Sequence, residues 1–335
     1  MRKLFSAICI LITAILLWWV ITASQSDYRK IEGIDFSYAT VILNSPNPER
    51  LSKFYQSVFR TQKSEDASDW SLDGSGKSVV SLRTPGYQGH GPLLTILKGG
   101  KSNVKSPLPN DLGYAHICFE SDDIPGLIKQ IAKNGGKILS SFKDMEKVPA
   151  VYATDPDGNV FEVHIPFPTP LTPRTIYRSL NSLVRTYFEL SPPEIDRIRF
   201  LHVNINSTDW IKTVNFYIKV LETSTTGFER DYKGEFIENL TGINGAAIRG
   251  RHVVLPGYSD GGPTFEVFTY NKASSKKPVT MTEMGRVATG FQVQNLDTAT
   301  NKIIREGGTF IRRNASQSVI LKDLDGNLLI LVRRK

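Results

Sequence analysis

Cysteine is almost missing: among 335 residues there are only Cys9, inside an apolar N-terminal run, and Cys118, in a candidate core strand. Two thiols so placed cannot build a disulfide framework, and redox chemistry is not expected. A dense block of one charge is missing too. The 41 Lys and Arg exceed the 33 Asp and Glu to give a net charge of +8, but the basic residues are spread along the chain, so no nucleic-acid partner is expected. Neither Gly (26) nor Pro (18) is abundant enough for a fibrous or low-complexity protein, and 10% aromatic content argues against disorder. What remains is an ordinary globular composition, long enough for two domains.

One long apolar run stands at the start. Leu4 to Ala23 spans 20 residues without a charge, behind Arg2 and Lys3. At 1.5 Å per residue that length matches a ~30 Å hydrocarbon core. Residues 1–30 are read as a signal anchor, an N-terminal transmembrane helix, with a cleaved signal peptide as the alternative. Arg2 and Lys3 hold the N-terminus in the cytoplasm by the positive-inside rule, so the expectation is a single-pass membrane protein with its body on the extracytoplasmic side. Three sequons, at Asn206, Asn239 and Asn314, are too short a pattern to assign a compartment.

Beyond the anchor the chain repeats itself. Phe54-Tyr55 on a short amphipathic helix recurs as Phe216-Tyr217, each helix following an apolar strand (Tyr38 to Leu43; Phe200 to Ile205). Asn134-Gly135-Gly136-Lys137 recurs as Glu306-Gly307-Gly308-Thr309, where a Gly pair ends a helix. Asp155-Pro156-Asp157-Gly158-Asn159 recurs as Asp323-Leu324-Asp325-Gly326-Asn327, a tight turn leading into a strand. Four units result, at about 34–100, 112–166, 198–271 and 286–335. The expected domains are 31–166 (modules 1 and 2) and 198–335 (modules 3 and 4), joined by a linker with a helix at 167–197. Packing of helix on sheet accounts for the Phe-Tyr pairs.

A βαβββ module repeated in pairs, with Phe-Tyr on its first helix and Asp-Pro-Asp-Gly-Asn before its last strand, resembles the vicinal oxygen chelate superfamily. That group includes glyoxalase I, extradiol dioxygenases and bleomycin resistance proteins. The resemblance covers nearly all of 34–335 and implies an α+β fold of two glyoxalase-like domains. It further implies a cleft with a divalent metal held by residues on the first and last strands of each contributing module. At those positions module 2 offers His116 and Glu162, and module 3 offers His202 and Glu266. Module 1 offers only Thr40 and Thr95, and module 4 Thr289 and Ile330. Strand parity agrees, because Leu201, Val203 and Ile205 oppose His202, and apolar neighbours flank both glutamates.

Pairing in sequence order would leave two half-sites. Pairing module 2 with 3, and 1 with 4, gathers His116, Glu162, His202 and Glu266 in one cleft and abandons the other, and this exchanged arrangement is the one expected. Two imidazoles and two carboxylates suit Ni, Zn, Co, Fe or Mn. The resemblance then implies a membrane-anchored enzyme that isomerises or epimerises a small-molecule substrate through an enediolate, with Glu162 or Glu266 as displaced ligand and base. The alternatives are an extradiol-type dioxygenase, using iron on two His and one Glu, and a noncatalytic binding protein of the same fold. His164 reads as an exposed strand-end residue or a contact behind the ligands. His90 and His252 are assigned no role. Specificity is expected in the stretches 227–235 and 99–109, read as loops.

Overall fold

The computed structural model describes residues 13, 35–65, 70, 79–86, 90–100, 108–168, 173–188, 190, 197–258, 262–274, 280, 282–314 and 318–334. The apolar run 4–23 lies, but for Thr13, outside them. Among the described residues no helix is long and apolar enough to cross a membrane.

Each module begins with a strand and then a capped helix. Module 1 comprises β1 (Phe36–Ser45), α1 (Pro48–Phe59), β2 (Gln62–Lys63), β3 (Val79–Pro85) and β4 (His90–Lys98). Module 2 comprises β5 (Gly113–Glu120), α2 (Ile124–Lys133), β6 (Lys137–Ile138), β7 (Ala150–Thr154) and β8 (Val160–His164). The connecting helix α3 (Pro173–Phe188) follows. Module 3 holds β9 (Arg199–Asn206), α4 (Trp210–Leu221), β10 (Thr225–Lys233), α5 (Glu235–Thr241), β11 (Ala247–Val254) and β12 (Thr264–Tyr270). Module 4 holds β13 (Gly285–Val293), α6 (Leu296–Arg305), β14 (Thr309–Asn314), β15 (Ser318–Lys322) and β16 (Leu328–Arg333). The first helix of every module starts on an Asn or Asp cap. The side chains of Asn47, Asp123, Asp209 and Asn295 accept from the backbone N–H groups of Arg50, Gly126, Lys212 and Thr298, satisfying donors the first helical turn leaves unpaired. One stretch read as a loop, 227–235, instead forms most of the edge strand β10 and the start of α5, with β10 paired antiparallel to β11.

The strands assemble into two eight-stranded sheets. One runs β14-β15-β16-β13-β1-β4-β3-β2 and the other β10-β11-β12-β9-β5-β8-β7-β6. Modules 1 and 4 therefore share a sheet through the antiparallel pair β1–β13, and modules 2 and 3 share one through β5–β9. Each sheet draws one module from each half of the sequence.

The halves are nonetheless stitched along the chain. Helix α1 of module 1 packs on the strands of module 2, where Phe59 stacks on Phe119 at 4.0 Å between ring centroids and Phe54 lies against Phe161 at 6.0 Å. The tyrosine of each repeated pair does more than pack. Tyr55 donates its hydroxyl to Asp155 Oδ2 at 2.9 Å, and Tyr217 donates to Asp323 Oδ2 at 2.6 Å. Those carboxylates also accept the backbone N–H groups of Asp157 and Asn159, or of Asp325 and Asn327, and so shape the turn that launches the last strand of modules 2 and 4. The repeated Asp-x-Asp-Gly-Asn turn is thus tied to the helix of the preceding module.

Two further contacts set the frame of the cleft. Buried Arg286 on β13 donates to the carbonyls of His116 and Asn204, across from one sheet to the other, and its guanidinium lies 4.8 Å from the Tyr114 ring centroid. In return the Tyr114 hydroxyl donates to Leu328 O at 2.9 Å. Burial pulls the Arg286 guanidinium down to about 9. Helix α3 is held as well, because Arg178 bridges Glu120 (2.6 Å) and Asp122 (2.7 Å), while Arg199 reaches Glu120 at 2.8 Å. The connection between the halves is a docked helix.

Burial raises the Asp155 carboxyl to about 6, outweighing the donors from Asn159 and Tyr55. A folded value above the ordinary carboxylate one gives stability that is full below about pH 4 and is lost as pH rises through 6. Asp155→Asn, which cannot titrate, is therefore expected to cost about 1 kcal/mol more relative to wild type at pH 5 than at pH 7.5 in urea unfolding.

Candidate metal centre

The sheet shared by modules 2 and 3 brings four side chains to one place. β5 presents His116, β8 Glu162, β9 His202 and β12 Glu266. The parallel pairs β5–β8 and β9–β12 flank the antiparallel pair β5–β9, in which Cys118 faces His202. His116 Nε2 lies 3.2 Å from Glu162 Oε2 and 3.3 Å from Glu266 Oε2. His202 Nε2 lies 3.3 and 3.2 Å from the same two oxygens. The four ligating atoms all fall within 4.8 Å of one another, in a buried setting.

The approach is close, but neither Nε2 is aligned for a hydrogen bond, and both are buried without such a partner. Two nitrogens and two oxygens aimed at a common point, and not along N–H···O lines, form a donor set that fits a divalent transition metal. Charge complementarity holds the set together. Burial raises the Glu162 carboxyl, but the imidazoles of His116 and His202 reverse this and hold it down at about 2. Glu266 is held well below the usual carboxylate range, against burial, by His202, His116 and His252. Burial lowers His202, but Cys118, Glu266 and Glu162 more than offset it. A cation at this set competes with protons for the same atoms, so its binding depends on pH.

Around this quartet stand residues that sequence reasoning left without a role. His252 on β11 is in register with Glu266, and its Nε2 lies 3.2 Å from Glu266 Oε1. Its Nδ1 is 2.8 Å from Thr264 Oγ1. Asn204 Nδ2 donates to Glu266 Oε2 at 3.3 Å. Alternation along β9 could have flagged Asn204, but His252 is reached only through the β11–β12 register, which the sequence does not show. His164 is buried, contrary to the exposed strand-end reading. It forms a group with Cys118 and His202, with its Nδ1 2.5 Å from Ile165 O.

The sheet shared by modules 1 and 4 has no such donors at the matching positions. Thr40 and Thr95 bond to each other at 2.8 Å through their hydroxyls. Thr289 was expected opposite them, but the position that matches His116 is Ala288. His116 and Ala288 both stand seven residues before their helix caps, Asp123 and Asn295, and alternation turns Thr289 to the other face. Ala288 and Ile330 join Ile42, Leu97 and fully buried Trp70 in an apolar cluster. The indole packs beside Ala288 and Ile330, the positions that match His116 and Glu162 in the other sheet. Gly290 makes room for it, because a Cβ there would sit 2.6 Å from Trp70 Cζ3 and 2.5 Å from Thr40 Cγ2.

Residues 37–163 match the Glyoxalase/Bleomycin resistance protein/Dioxygenase superfamily. Among solved structures the chain is similar in fold to glyoxalase I from Zea mays, at TM-score 0.55 and 16% identity, covering 90% of this chain and 93% of that one. It is similarly related to a candidate dioxygenase from Bacillus subtilis, at TM-score 0.53 and 12% identity, covering 89% and 84%. A curated sequence from Malacoplasma penetrans, described as a probable transcriptional regulatory protein, is 25% identical over 218 residues, 60% of this chain and 88% of that one.

Gly290→Ala is expected to destabilise the chain by about 1–3 kcal/mol, because Trp70 and Thr40 must shift. Metal binding at the His/Glu quartet should be unchanged. Thermal unfolding and metal titration of the variant measure both.

Proposed function

We propose, from the match of residues 37–163 to the Glyoxalase/Bleomycin resistance protein/Dioxygenase superfamily, that the chain is a metal-dependent enzyme of the glyoxalase type. The observation that supports it is the convergence of His116, Glu162, His202 and Glu266 on a single point. A divalent ion held there (Ni, Zn, Co, Fe or Mn) would polarise two neighbouring oxygens of a small substrate. The protein's own groups do the rest. His116 and His202, each on a central strand, fix the centre, and Tyr152 packs against the His116 ring at 4.9 Å between centroids. A glutamate that swings off the centre is a base beside the substrate, able to take a proton from a carbon next to a carbonyl and return it to the adjacent carbon. Isomerisation of a small oxygenated molecule follows from that shift; epimerisation instead returns a proton to the first carbon on its opposite face.

An oxygen-using reading, with iron on His116, His202 and one glutamate, needs only three donors. Four converge here, which favours the first reading; oxygen uptake with a catechol separates the two. The reading also keeps residues 4–23 as a membrane anchor with the body outside the cytoplasm, on sequence grounds.

Metal analysis of the purified chain after reconstitution is expected to give about one divalent ion per chain. His116→Ala and His202→Ala should each lose it together with any activity; wild-type protein without stoichiometric metal would refute the proposal. For the anchor, the chain should partition with membranes after carbonate extraction, and protease added from the outside should digest the body. Release into the soluble fraction would remove that part of the reading.

A further inference from the structure

The quartet looks symmetric, but its surroundings are not. Modules 2 and 3 supply equivalent ligands from equivalent strands, so each residue around Glu266 has a counterpart around Glu162. His252, in register with Glu266, corresponds to Tyr152, in register with Glu162. Asn204, two residues after His202 and beside Glu266, corresponds to Cys118, two residues after His116 and beside Glu162. Thr264, two residues before Glu266, corresponds to Val160.

The contacts differ accordingly. Glu266 Oε1 meets His252 at 3.2 Å, His252 is steadied in turn by Thr264 at 2.8 Å, and Asn204 donates to Glu266 Oε2 at 3.3 Å. Around Glu162 the equivalent positions offer nothing to the carboxylate. Tyr152 turns its ring to His116, Cys118 donates weakly to Phe119 O at 3.6 Å, and Val160 has no polar side chain. Among the described residues Glu162 meets only the two imidazoles that also face Glu266. Its side chain is the more open of the two, 12% exposed against 7%.

We infer that His252 is a positioning residue which, with Asn204, fastens Glu266 as the permanent ligand and leaves Glu162 as the carboxylate that moves and carries the proton. This rests on the metal reading above and assigns the two glutamates their order. In the proton shift a substrate C–H bond breaks as an O–H bond forms on Glu162. That O–H bond then breaks as a C–H bond forms at the adjacent carbonyl carbon, while the hydroxyl proton of the first carbon passes to the oxygen of the second, so no co-reactant is needed. A carboxylate gripped on its outer oxygen by an imidazole is poorly suited to that excursion, because leaving would take the carboxylate acceptor from His252 and one of two acceptors from Asn204, which also donates to Glu266 O at 3.2 Å.

The test uses the full chain and cobalt(II) alone, with affinity from competition against a chelator and geometry from the visible absorption of the bound ion. His252→Ala is expected to weaken cobalt binding about 10- to 100-fold, and Glu266→Gln at least as much. Glu162→Gln should cost less than about 10-fold. His252→Gln retains an N–H donor toward Glu266 and should recover most of the loss, which a merely space-filling role for the imidazole would not explain. Melting curves of the metal-free variants identify any that fail to fold; should His252→Ala be one, His252→Gln and the two glutamate variants still decide. Cobalt affinity unchanged in His252→Ala, or equal losses in Glu162→Gln and Glu266→Gln, would overturn the inference while leaving the metal site standing. Wild-type chain that takes up no cobalt would instead refute the metal reading itself.

Discussion

The antiparallel pairing of β5 with β9 is the contact on which the site depends. Each of those strands carries one imidazole, and each has a parallel neighbour carrying one carboxylate. Without that seam a module holds two donors, too few to retain a divalent ion against water. With it, four donors meet at the centre of an eight-stranded sheet, where burial strengthens their electrostatics and strand geometry fixes their spacing. Arg286 braces the seam from the opposite sheet by taking the carbonyls of His116 and Asn204 on the two strands themselves.

The other sheet carries the same architecture without those four donors. Its central pair β1–β13 keeps the register, but the positions that would bear ligands carry threonine, alanine and isoleucine, and Trp70 occupies the interior. A buried indole with aliphatic neighbours contributes hydrophobic stabilisation that an open, polar cleft would not. The retained cleft bears the opposite cost, since its two carboxylates are charged and buried and rely on the imidazoles beside them.

Much of this was legible in the sequence because the repeat gives several independent rulers. The Phe54-Tyr55 and Phe216-Tyr217 pairs stand equally far after Thr40 and His202, and Glu162 and Ile330 lie on the strands that follow the Asp-x-Asp-Gly-Asn turns. The exchange of modules followed from asking which pairing leaves a whole site. The ruler slipped once, at Thr289, because a one-residue shift in a strand reverses the face and module 4 has no histidine to mark the place. Trp70 was hidden in a stretch without periodicity. His252 was hidden by the connection between β11 and β12, whose length masks which residues stand opposite; as a lone histidine beside an arginine it offered no pattern. The aromatic pairs were read as packing alone, and the hydrogen bonds from their tyrosines to Asp155 and Asp323 appear only once helix and turn are seen in contact.

One cleft with donors and one without are possible because the two halves are written into one polypeptide. In a homodimer of one two-module half, a twofold axis would exchange the two clefts and force both to carry the same donors or both to lack them. Fusion lifts that obligation. Once joined, the copies mutate separately, and one cleft can take in a tryptophan while the other keeps its four donors.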